Sequence, residues 1–201
     1  MKALIIVDVQ RDFSVPGGSL YVKDGEKIVP GINELIENGD FDCIVATQDW
    51  HPAGHGSFAS NHLGKNPFEM GELNGKPQML WPNHCVQDTP GAEFHPDLKV
   101  PEWAYIVRKG LDRKVDSYSA FYDNDKRAST GLTEYLKSVD VDEVEICGLA
   151  FNFCVMFTAL DAIGEGFQVS VIEKLCRSVE MNPGDHEKAK QEMVERGIKI
   201  I

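Results

Sequence analysis

With 201 residues, 42% of them hydrophobic and 26% charged, the chain has the makeup of one globular domain with a sizeable core. Its formal charge of −12 argues against a surface that tracks nucleic-acid phosphates and against an anionic membrane as partner. No window approaches the uninterrupted apolar length of a membrane helix, and five cysteines without a CxxC pair argue against a disulfide framework or a zinc ribbon.

The first apolar run, Ala3 to Val7, is brief and gives way to Asp8, Gln10, Arg11 and Asp12. It reads as a buried strand rather than a signal peptide, and so implies a cytoplasmic protein. Glu26 to Asn38 carries Ile28, Ile32, Leu35 and Ile36 at helical spacing and stops at Gly39. Cys43 to Thr47 is a second strand. From His51 to Glu102 the chain is rich in Pro, Gly, Asn and His and shows no sustained period. A loop that long in a compact domain is functional or disordered. Phe58, Phe68, Leu80, Trp81 and Phe94 predict that this one packs.

Strands resume at Tyr105 to Val107, Val144 to Leu149 and Val169 to Ile172, with Ile198 to Ile201 as a sixth. Helical patterns over Ser129 to Lys137, Asn152 to Ile163 and Pro183 to Glu195 fall among them. The strands are nearly continuous in apolar residues, as strands covered on both faces are. The alternation predicts a three-layer α/β/α fold with a mainly parallel sheet of about six strands. It reads as one domain over 1–201, with a long binding loop region at about 50–103.

In such sheets ligands sit at the carboxyl ends of the strands. Asp8 ends the first strand, Asp49 and His51 end the second, Lys109 follows the third, and Cys154 follows the fourth across a short turn. Each has an ordinary reading: a strand-end Asp forms turns, a lone Lys is solvated, and a lone Cys is a small buried hydrophobe. Four such strand ends at one topological edge point to a site.

Gly148 to Cys154 reads as strand, tight turn and helix, with Asn152 placed to cap. Cys154 then falls in the first helical turn, where the dipole favours a thiolate and backbone N–H groups can hold an oxyanion. Cys85, beside His84, is the rival nucleophile. In Asp49-Trp50-His51 the carboxylate and imidazole face the same way on an extended chain. His84 would complete a two-histidine, one-carboxylate set with open positions for water or substrate. The alternative is that His51, His55, His62 and His84 are loop histidines making ordinary hydrogen bonds.

Taken together, the motifs resemble the nicotinamidases among the isochorismatase-like cysteine hydrolases. The matching stretches are Ile6 to Phe13, Thr47 to Pro52 with His55 and Ser57-Phe58-Ala59, Leu80 to Val86, Arg108-Lys109-Gly110, and Gly148-Leu149-Ala150 leading to Cys154-Val155. The resemblance implies hydrolysis of nicotinamide to nicotinic acid and ammonia, with pyrazinamide as a second substrate and NAD salvage as the setting. It implies a triad of Asp8, Lys109 and Cys154, and an oxyanion hole at the N–H groups of Ala150 and Cys154 beside a cis Leu149–Ala150 peptide. It implies a divalent metal, zinc before iron or manganese, on Asp49, His51 and His84; His55 matches a position that ligates in some members only. Phe13, Trp81 and Tyr118 match substrate-pocket aromatics. A homo-oligomer is compatible with it.

Two departures are visible: Phe151-Asn152 stands where many members have Thr-Asp, and the loop between Lys109 and Tyr118 differs in length from short members. The rivals are a cysteine hydrolase of another small amide, such as a ureido or carbamoyl acid, and a non-catalytic binding protein on the same fold. Isochorismatase itself, which uses no cysteine nucleophile, is disfavoured by Cys154.

Overall fold

The computed structural model of the chain describes residues 1–201. Strand β1 (Lys2–Val7) is followed by a single turn, α1 (Arg11–Ser14), and then by helix α2 (Val29–Asn38), which a 3₁₀ turn at Gly25–Ile28 introduces. Strand β2 (Cys43–Asp49) leads into the long excursion, which contains a hairpin of β3 (Met70–Leu73) and β4 (Lys76–Met79). Then come β5 (Tyr105–Lys109), α3 (Leu132–Ser138), β6 (Glu143–Leu149), a π-helical turn at Phe151–Val155, α4 (Met156–Gly164), β7 (Gln168–Arg177), α5 (Asp185–Glu195) and β8 (Lys199–Ile200).

The main sheet has six strands in the order β5-β2-β1-β6-β7-β8, and each neighbouring pair is parallel. All of β2 and all of β1 after Lys2 are buried, so both faces of the sheet centre are covered. This is the three-layer α/β arrangement, and 44 buried residues form one continuous core through it. No helix is long and apolar enough to cross a membrane.

Three expectations need correction. The second, third and fifth strands run further than their apolar runs, to Asp49, Lys109 and Arg177. Parallel pairing with a covered neighbour carries the polar residues inside the ladder. The excursion is not structureless, because Asn74 and Gly75 take positive φ and close the β3–β4 hairpin, pairing Met70 with Met79. Phe58, Leu80 and Trp81 are buried as expected and Phe94 is half-buried, but Phe68 is 48% exposed. Its ring touches Trp81 only from outside, edge-on at 6.0 Å.

Candidate active site

Parallel pairing puts the carboxyl ends of β5, β2, β1 and β6 at one rim. The chain leaves β1 for β2 on one side and later returns to β6 on the other, so the rim at β1 and β6 is a topological switch point. Asp8 follows β1 with φ 49, and Gly148 of β6 lies directly across from Val7. Gly148 has φ 119, and a Cβ there would come within 2.7 Å of the Val7 nitrogen. Only glycine allows that approach. Asp49 and Lys109 are register partners across β2 and β5, so their side chains leave the same face of the sheet.

The Lys109 side chain is fully buried, and its ammonium is the hub. Nζ donates to Asp49 Oδ1, to Ser117 O at 3.1 Å and to Cys154 Sγ at 3.4 Å. That uses the three donors of an ammonium. Asp8 Oδ2 lies 2.8 Å from the same nitrogen as an ion pair, yet no hydrogen bond reaches this oxygen. Asp8 Oδ1 accepts from the Thr47 hydroxyl at 2.5 Å. A carboxylate oxygen of Asp8 and the Cys154 sulfur lie within 4.8 Å of each other. The acid, the amine and the thiol are therefore in mutual reach.

Electrostatics sort these groups. Burial opposes the charge on Lys109, but Asp49 and Asp8 outweigh it and hold the amine well above its ordinary value. Burial also resists ionisation of Asp49, yet the Lys109 ammonium keeps its carboxyl well below the usual range. Asp8 goes the other way: burial, with Asp49 adding to it, raises its carboxyl despite Lys109. The thiol of Cys154 is pushed well above its ordinary value by burial, against Lys109. Desolvation thus works against the thiolate that a first helical turn favours. The N-cap expectation fails. Asn152 lies inside the π turn, where its Nδ2 donates to Val179 O at 2.9 Å and its Oδ1 accepts from Val179 N–H at 3.0 Å.

Asp49, His51 and His84 bring one ligand atom each within 4.8 Å of one another. Nδ1 of His51 faces Gly110 O at 3.0 Å and Nδ1 of His84 faces Pro82 O at 2.8 Å. A carbonyl there requires the proton on Nδ1, which leaves the Nε2 lone pair free. The two Nε2 atoms stand 3.6 and 3.7 Å from Asp49 Oδ2, beyond hydrogen-bond length, so all three donors converge without satisfying one another. The set could hold a metal ion. Gly110, with φ +70, leaves room for the His51 ring, which a Cβ would strike. His55 sits apart: its imidazole groups with His51 and Asp116, its Nε2 is buried without a partner, and burial with neighbouring His51 pushes it down to about 4. Trp50 points away from this set and stacks beneath Arg108 at 3.9 Å.

A small, mostly apolar pocket opens beside these groups. Phe13, Trp81, Tyr118, Ala150, Cys154, Asp49, His51 and His84 all face it, and the Leu149–Ala150 peptide is cis. Cys85 does not: it is fully buried, its N–H donates to Asp12 Oδ2 at 2.8 Å, and burial and nearby carboxylates push its thiol well up. The sequence reading missed Leu20, Val22, Asp116, Phe153 and Val179 in the lining. Val179 lies just past the end of β7, so the strand-end rule would have found it had β7 been read to its full length. Asp116 sits in an aperiodic stretch and left no comparable signal.

The chain resembles known proteins over its whole length. The chain is 51% identical to a nicotinamidase of Acinetobacter baylyi, over 99% of this chain and 91% of that protein. It superimposes with a TM-score of 0.96 and 34% identity on the yeast nicotinamidase bound to the inhibitor nicotinaldehyde, covering 100% of this chain and 99% of that one. Against a pyrazinamidase of Pyrococcus horikoshii in complex with zinc the TM-score is 0.80 at 41% identity, covering 100% of this chain and 98% of that one. The isochorismatase domain model matches residues 2–201, and the chain belongs to that family.

Proposed function

We propose that this chain is a nicotinamidase, hydrolysing the carboxamide of nicotinamide to a carboxylic acid and ammonia, with pyrazinamide as a second substrate and NAD salvage as its setting. The observation that carries the proposal is the meeting of Asp8 and Lys109 with Cys154, which lines an aromatic cavity. The nicotinamidase and pyrazinamidase relatives support the substrate class. Five cysteines, all unpaired, support a reducing, cytoplasmic location.

In this mechanism Asp8 is the general base. Its raised carboxyl and unbonded Oδ2 suit it to take the proton of a thiol that burial keeps neutral. As that proton leaves, the sulfur attacks the amide carbon, and Lys109 stabilises the negative charge shared by thiolate and carboxylate. The N–H groups of Ala150 and Cys154 are assigned to the oxyanion. Asp8 returns its proton to nitrogen, the C–N bond breaks and ammonia departs. A water then gives a proton to Asp8 and attacks the thioester, the C–S bond breaks, and the acid leaves as the thiol is restored.

Asp49, His51 and His84 would hold a divalent ion, zinc first and iron or manganese next, whose contribution is to anchor and orient the heteroaromatic ring. Phe13, Trp81 and Tyr118 pack against that ring.

Ammonia release from nicotinamide by the wild type, and its loss in Cys154→Ala with folding retained, is the expected result. Undiminished release from that variant would reject the assignment of the nucleophile. His84→Ala should lower bound metal by elemental analysis; full occupancy there would reject the ligand set.

A further inference from the structure

The β3–β4 hairpin supplies no residue to the cavity lining, yet one of its side chains reaches the cavity's rear wall. Gln78 is buried, and its Nε2 donates to Asp116 Oδ2 at 2.9 Å. Tyr118 Oη at 3.3 Å and Met79 O at 2.8 Å also lie within its reach. Tyr118 Oη accepts from Trp81 Nε1 at 3.2 Å as well. One hydroxyl thus links two wall rings, and one amide links that hydroxyl to a buried carboxylate. Trp81, Tyr118 and Phe153 pack edge to face around this point, with centroids 5.1 to 6.5 Å apart.

Asp116 has few alternatives. Its Oδ1 accepts from Ser117 N–H at 2.9 Å, and Gln78 supplies the side-chain donor for Oδ2. Without Gln78, the carboxylate would keep a buried oxygen unpaired or rotate toward the imidazoles of His51 and His55, with which it already clusters. Either outcome disturbs the wall against which a flat ring must lie.

We infer that Gln78 is a positioning residue: from outside the cavity it fixes the Trp81–Tyr118 wall and the Asp116 carboxylate, and so sets how tightly the ring of the substrate binds. The inference rests on the amidase reading above. No hydrogen bond joins Gln78 directly to Asp8, Lys109 or Cys154, so its loss falls on KM first.

The test uses Gln78→Met, which keeps the length and apolar stem and removes the donors. KM for nicotinamide should rise about tenfold, the scale of one lost hydrogen bond in a buried network, while kcat stays within about twofold. Tyr118→Phe removes the shared acceptor from the other side and should raise KM similarly, which also keeps the test open if Gln78→Met folds poorly. The double variant should be no worse than either single one, because both break one network. An unchanged KM, a kcat that falls in step with kcat/KM, or additive effects would overturn the inference. A second readout needs no turnover: the Trp81 indole N–H signal in NMR, assigned with Trp81→Phe, should shift and exchange faster in Gln78→Met. If the wild type released no ammonia from nicotinamide, the functional reading would fall, and the indole signal would still judge the network; an unshifted signal would overturn it.

Discussion

Lys109→Met removes one charge from a site that holds two carboxylates and a thiol, and the consequences can be sized. The substituted side chain keeps the apolar stem of the lysine, so no large cavity forms. What disappears is the ammonium that lies 2.8 Å from Asp8 Oδ2 and hydrogen-bonds Asp49, Ser117 O and Cys154. Breaking a buried ion pair from one side costs about 3–5 kcal/mol, because the surviving charge stays desolvated. For a chain of 201 residues each kcal/mol moves the midpoint by roughly 2–4 °C, so unfolding in chelating buffer should shift down by about 6–20 °C. Activity should fall as well, by about 10²–10³-fold in kcat/KM, the scale of removing one preorganised donor that stabilises developing charge. Scanning calorimetry and an ammonia-release assay measure the two effects. A midpoint within about 3 °C of wild type would mean that Lys109 is not compensating two desolvated carboxylates, and the hub assignment would fail.

Other outcomes follow from the same contacts. Thr47→Val removes the hydroxyl that bonds Asp8 Oδ1 while keeping the shape; kcat should drop about tenfold with little change in KM, because the base loses its orientation. Asn152→Ala strands the N–H and C=O of Val179, and denaturant unfolding should show a loss of about 1–3 kcal/mol for each group left unpaired. Glu173 is held below its ordinary value by Lys190 and then His186, so its stabilisation is present above the unfolded carboxylate pKa and is lost as pH falls through the folded one. Glu173→Gln should therefore match wild type more closely at acid pH than at neutral pH, as read by denaturant midpoints; an equal gap at both would reject the linkage.

The parts of the site that were legible share one cause. In a parallel sheet, the residue that ends a buried strand lands on the rim that carries every other strand end. Asp8, Asp49, Lys109 and Cys154 could therefore be grouped before any distance was known. The alternation in Asp49-Trp50-His51 worked for a similar reason, since a local period fixes which side chains share a face. What stayed hidden depends on partners distant in sequence. Asn152 looked like a cap because capping is a local rule, whereas its amide is engaged by Val179, across the gap between β6 and β7. The hairpin that carries Gln78 has no apolar alternation, because its strands are short and mostly exposed. Burial opposes a Cys154 thiolate, and burial is a property of the assembled core that a local turn does not reveal.

Asp49 ties the two halves of the site together. One of its oxygens takes the Lys109 proton donor, and the other faces the lone pairs of His51 and His84. The carboxylate that completes this set of three convergent donors is thus also the one that holds the Lys109 amine beside the Cys154 thiol, so both arrangements hang on a single strand end.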